Sequence, residues 1–147
     1  MSQVNFVDGL ENKDTLRLEG QFAARIEDRW NVKLQKIPST YSLDYAIIRN
    51  GGVVSWIEVK CRTNSFLTYP TYMIALKKWN AMREFQSTSH LKAFLGVAFV
   101  DGDYWLDASQ VKEIEVKMGG RTDRGLIKDI EPMVHFSTNY FTKFKFK

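Results

Sequence analysis

The sequence predicts an α/β fold in which a helix, a strand, a hairpin of two strands, a second helix and a further strand follow one another, with more strands towards the C-terminus. Three observations carry that prediction. Phe22, Ala23, Ile26 and Trp30 recur at helical spacing among acids, arginines and alanines. Asn50-Gly51-Gly52 lies between two runs rich in Ile, Val, Trp and Tyr, the pattern of a hairpin turn. Residues 93–100 form an almost wholly apolar run, as expected of a strand buried on both faces. The 147 residues fit a single domain, large enough to remove roughly two-thirds of the unfolded surface from water.

Taken in order, residues 1–12 show no clear period. Asp14 or Thr15 is placed to cap a helix that runs to about Trp30. On a helical wheel Glu19 falls in the middle of the apolar stripe and Glu27 towards its edge. An acid centred on an apolar stripe needs a partner, so Glu19 is the better candidate for a site; the alternative is that both are surface acids. Residues 32–37 alternate apolar and polar and read as a strand entering the Pro38-Ser39-Thr40 turn. If Asn50-Gly51-Gly52 is a three-residue loop, Arg49 faces Val53 and, in register, Asp44 faces Glu58; a two-residue loop shifts the pairing by one.

After a polar loop over 63–68, Pro70 or Thr71 opens the second helix, expected to reach about Gln86. It would bury Tyr72, Ala75, Leu76, Trp79 and Met82 and display Lys77, Lys78 and Arg83. Asp101-Gly102 signals a turn into a return strand at Tyr104-Trp105-Leu106. Asp107 and Ser109 suit a short helical turn before 111–117, and Met133 to Phe136 suit a last strand. The tail over 141–147 alternates Phe and Lys; as a strand it would bury three phenylalanines and present three lysines, a lysine-protected edge or a base-stacking strip.

Composition narrows the classes. Lys plus Arg number 21 against 17 acids, a formal charge of +4 compatible with a polyanionic partner. The one cysteine, Cys61, excludes an internal disulfide framework and a cysteine zinc site; it reads as a small core hydrophobe. No basic leader with an apolar run and no stretch of ~20 apolar residues appears, so a soluble, cytoplasmic protein is expected, with no membrane partner. His90 and His135 are too isolated for a histidine metal site. Asp101, Asp103 and Asp107 flank turns, where Asp is common for backbone reasons. Residues 119–125, GGRTDRG, lack the Gly-Lys-Ser/Thr ending of a phosphate-binding loop; the arginines suit a phosphate backbone or solvent.

The chemistry concentrates in residues 41–62. Period-2 alternation puts Trp56, Glu58 and Lys60 on one face of a strand and Ile57, Val59 and Cys61 on the other. Like charges directly opposite on paired strands repel, so Asp44 across from Glu58 is an arrangement normally avoided, which becomes favourable if a divalent cation lies between them. A lysine on the same face can orient or deprotonate a water and neutralise charge on a phosphate. Those are the requirements of phosphodiester hydrolysis.

Asp44 followed by Glu58-Val59-Lys60 resembles the signature of the PD-(D/E)XK nuclease superfamily, with Leu43 where that signature nominally has Pro. The resemblance implies a restriction-endonuclease-like αβββαβ core over about 14–100, a mixed central sheet flanked by helices, and additions over 101–147. It implies a Mg²⁺- or Mn²⁺-dependent DNA nuclease with no organic cofactor. Asp44, Glu58 and the Val59 carbonyl would bind the metal, Glu19 would assist through water, and Lys60 would act on the attacking water. Arg62, Lys77, Lys78, Arg121 and Arg124 are the expected DNA contacts. The small size resembles stand-alone phage-encoded nucleases and junction resolvases, so an endonuclease on duplex or branched DNA, with a possible homodimer, is the leading expectation. The other is a non-catalytic nucleic-acid- or partner-binding domain that keeps the fold.

Overall fold

The computed structural model describes residues 8–120 and 130–145. Its elements are α1 (Asp8–Trp30), β1 (Lys33–Lys36), β2 (Tyr45–Arg49), β3 (Gly52–Cys61), β4 (Thr71–Ala75), α2 (Leu76–Ser89), β5 (Ala93–Phe99), β6 (Gly102–Asp107), β7 (Glu115–Gly120), β8 (Ile130–Ser137) and β9 (Thr142–Lys143). Six strands form one sheet in the order β1-β2-β3-β5-β6-β9, and β4-β8-β7 form a second. Within the larger sheet β3 and β5 run parallel and the other pairs antiparallel. The helices cover opposite faces of this mixed sheet. Phe22 and Ile26 of α1 pack with Ile47, Ile57, Val59 and Ala98, whereas Trp79 and Met82 of α2 pack with Leu95, Val97, Ile74 and Val134. The αβββαβ order is present, with β4 inserted before α2.

The hairpin keeps the expected register by a different route. Asn50 and Gly51 both take positive φ, 52° and 80°, as a two-residue type I′ turn requires, and Arg49 pairs with Gly52. That turn alone would shift the register. A bulge between Ile47 and Ile48 restores it, since Ile48 faces Val53 while Ile47 faces Ser55, leaving Val54 as the extra residue. Tyr45 then faces Ile57, the last pair of the ladder, and the side chain of Asp44 just beyond it reaches the Val59 amide.

Five expectations are corrected. Helix α1 begins at Asp8, not at Asp14 or Thr15, because the polar first turns are compatible with helix and no proline interrupts them. Residues 71–75 are strand β4, and the second helix starts at Leu76. Tyr72 and Ile74 are buried while Thr71 and Met73 are exposed, a period of two in β-branched and aromatic residues that the distant β8 completes by pairing. Among the described residues the tail forms only the two-residue β9, and Phe141 and Phe144 enter different cores, so residues 141–145 are not an alternating strand, and Phe146 and Lys147 lie outside the described residues. Lys143 lies over the Tyr104 ring at 5.9 Å. The expected strand over 111–117 starts later, at Glu115, and Cys61 is half-buried.

A charged clamp seats α1 on the sheet. Arg25 Nε and Nη2 donate to the Asp103 carboxylate on β6 at 2.7 and 3.0 Å, and Arg29 Nη1 donates at 2.6 Å. Burial alone would raise the Asp103 carboxyl, but the two guanidinium groups outweigh it and hold the pKa below the usual value. Turn chemistry therefore does not exhaust the role of Asp103. Asp103→Asn is expected to lower the unfolding free energy by about 2 kcal/mol, since it removes charge-assisted hydrogen bonds from two arginines. Denaturant titration showing no loss would refute the clamp.

Candidate active site

Asp44 stands just before β2, behind the buried Leu43. Its Oδ2 accepts the Val59 amide at 2.9 Å, and its Oδ1 lies 3.8 Å from Lys36 Nζ. In a strand the N–H and C=O of one residue point the same way. The amides of Trp56 and Arg62 bond to carbonyls at the two ends of β5, so the alternate residue Val59 directs both its groups to the other side. The Val59 carbonyl therefore points towards Asp44, past the end of β2.

Glu58, in the middle of β3, is 0% exposed, and neither side-chain oxygen has a hydrogen-bond partner among the described residues. Two ammonium groups approach Oε2, Lys60 Nζ at 3.5 Å and Lys78 Nζ at 3.4 Å, too long for well-formed hydrogen bonds. Burial, then the charge of Asp44, raises the Glu58 pKa to about 7 against the opposing pull of Lys60 and Lys78. The carboxyl is thus partly protonated near neutral pH.

Glu19, half-buried on α1, is electrostatically coupled to the same group. Burial raises its pKa, Lys60 opposes that rise, Asp44 adds to it, and Lys36 and Lys78 oppose it. Glu27 plays a different part, because its Oε2 accepts the Leu34 amide at 2.8 Å and ties the helix end to β1. Glu27 is thereby engaged with β1, whereas Glu19 lies within electrostatic reach of Asp44 and Lys60.

The expected contact residues divide. Lys78 reaches Glu58 directly. Lys77, the next residue along, is exposed and lines a groove with Tyr41, Ser42 and Asn80. Arg62 shares the face of Glu58 and Lys60, lies over the Tyr72 ring at 5.0 Å and donates to the Met73 carbonyl at 3.3 Å. Arg121 and Arg124 lie outside the described residues. Sequence reasoning misses Lys36; its one sign there is a place at the end of a strand that had to pair beside Asp44.

Among the described residues no group of three or more His, Cys, Asp or Glu side chains is arranged to hold a metal ion. Two acids are nevertheless together. Buried carboxylate oxygens without hydrogen bonds are uncommon, and an oxygen-seeking cation is one group that could satisfy the two at Glu58. A hard divalent ion held by two carboxylates, a carbonyl and waters is consistent with this donor set.

A mixed sheet between two helices, with an acid at the start of one strand and acid-x-Lys on the next, is the restriction-endonuclease-like architecture of the PD-(D/E)XK nucleases. The family model described as "Phage putative PDDEXK endonuclease" matches residues 9–144, and the chain belongs to that family. Among solved structures, Hjc from Archaeoglobus fulgidus, a Holliday junction resolvase, matches with a TM-score of 0.58 and 12% identity, over 88% of this chain and 91% of that one. At that identity the likeness is one of fold. No curated protein matches the chain.

Proposed function

We propose that the protein is a divalent-metal-dependent endonuclease that hydrolyses phosphodiester bonds in duplex or branched DNA. The observation that carries this reading is the buried Glu58 carboxylate, without a hydrogen bond among the described residues, close to Asp44 and approached by two lysines. Family membership supports cleavage, and the resolvase named among the similar structures supports a branched substrate.

Asp44 Oδ1, a Glu58 oxygen and the Val59 carbonyl would hold Mg²⁺ or Mn²⁺. Bound there, the ion would polarise the scissile phosphate and lower the pKa of a water. The chain's own groups do the rest. Val59 fixes Asp44 through its amide, so one carboxylate oxygen remains directed at the site. Lys60, within 3.5 Å of Glu58, orients the attacking water and exchanges its proton as the water oxygen bonds to phosphorus and the bond to one sugar oxygen breaks. Lys78 and Lys36 bring positive charge towards the phosphate, and Glu19 holds water on the α1 side.

Calorimetry with Mn²⁺ provides the direct test. Wild type should bind it, and Asp44→Asn should weaken binding by at least about tenfold, as loss of a carboxylate ligand implies. Equal heats for the two proteins, or none for either, would favour a scaffold without a metal site.

A further inference from the structure

The catalytic row continues into a cavity. Arg62 follows Lys60 by two residues on the same face of the chain, about 6–7 Å further along, and it lines a cavity of about 550 Å³ together with Asn64, Tyr69, Tyr72, Met73 and His135. That volume falls within the ~300–1,000 Å³ of small-molecule sites. One wall is the loop leaving β3 and the other is the small sheet, where Met73 pairs with His135. Tyr69 is 61% exposed and Met73 47%, and among the described residues Tyr69 makes no ring contact, so an aromatic face is open at the rim. Tyr72 is 5% exposed, and its hydroxyl has no hydrogen-bond partner among the described residues. Burial pushes that phenol up to about 12, with Arg62 opposing and the charge of Glu58 adding to the rise.

We propose that this cavity receives one unpaired nucleobase of the DNA strand held at Lys60, so that cutting is directed to phosphates beside an unpaired nucleotide. This rests on the nuclease reading and specifies its substrate. A stacked, paired base cannot enter a recess; it must first leave the helix, at a cost least for bases that are mismatched or already single-stranded. An aromatic platform returns roughly five- to 150-fold in affinity per stacked base, whatever the base. Arg62 at the mouth suits the adjoining phosphate, and the amide of Asn64 and the ring of His135 offer hydrogen-bonding edges.

The test uses three duplexes identical except at one position: fully paired, carrying a one-nucleotide bulge, and carrying the same bulge without its base. With Mg²⁺, wild type should cut the bulged DNA at least about tenfold faster than the paired DNA, and the baseless bulge should lose that preference. Tyr69→Ala, at an exposed position that does not threaten folding, should reduce the bulge-to-duplex ratio towards one. Equal cutting of the bulges with and without a base, or an unchanged ratio in Tyr69→Ala, overturns the proposal. Anisotropy binding of the same DNAs to Lys60→Ala in EDTA separates it from the nuclease reading. Tighter binding of the base-bearing bulge without any cutting by wild type would sink the nuclease and keep the pocket, whereas equal binding of both bulges would sink the pocket alone.

Discussion

Lys60→Ala is expected to cut DNA about 10²–10³-fold more slowly than wild type, the loss typical when one charged or hydrogen-bonding group at a reacting centre is removed. DNA affinity and thermal midpoint should stay near wild type. The reasons are local. Lys60 is 29% exposed in its side chain, so its stem seals no core, and Lys78 remains 3.4 Å from Glu58, so the carboxylate is not left without a positive neighbour. Gel assays of single-turnover cleavage, run beside anisotropy binding, separate the two effects. A variant that binds and cuts like wild type would remove Lys60 from the reaction.

Glu58→Gln should abolish metal-dependent cutting and at the same time make the metal-free protein more stable at pH 8. The folded Glu58 pKa is about 7 against an ordinary 4.5. A raised acid pKa means that the folded state keeps its proton while the unfolded state releases it. Stability from this group is therefore intact below pH 4.5, falls as pH rises from 4.5 to 7, and stays low above. The difference corresponds to about 3 kcal/mol, or roughly 5–10 °C in midpoint for a chain of this size. Asp103, whose carboxyl is held low, acts in the opposite direction only at more acidic pH, and Glu19, raised by burial, adds a loss of the same sign that wild type and Glu58→Gln share. Thermal melts in EDTA at pH 5 and pH 8 provide the measurement. Wild type should lose stability at the higher pH and Glu58→Gln should lose much less. Parallel losses in the two proteins would mean that the carboxyl is not strained by burial.

Lys78 and Lys77 mark where reading along the chain stops. Both sit on one turn of α2 with equal charge, and nothing local says which faces the sheet. Moving the helix start from about residue 71 to Leu76 removes Tyr72 and Ala75 from the apolar stripe that would have fixed its buried face, and Lys78 is the one that meets Glu58. The start itself was hidden because β4 is held by β8, some sixty residues away, and no local signal reports a partner that distant. Asp103 is similar: its place by a turn explains an Asp, but only the packing of α1 brings two arginines to it.

By itself the sequence determined the local grammar: helix α1 by its apolar spacing, the hairpin by Asn50-Gly51, the buried strand β5 by its unbroken apolar run, and Asp44, Glu58 and Lys60 by their alternation along paired strands. Periods and turns are properties of neighbouring residues, so one sequence suffices to read them. Tertiary structure alone decided the bulge that restores the hairpin register, the Glu27 bond to the Leu34 amide, the second lysine on Glu58 and the cavity beyond Arg62. Each of these depends on which distant surfaces bury one another, and burial is settled by the whole fold at once.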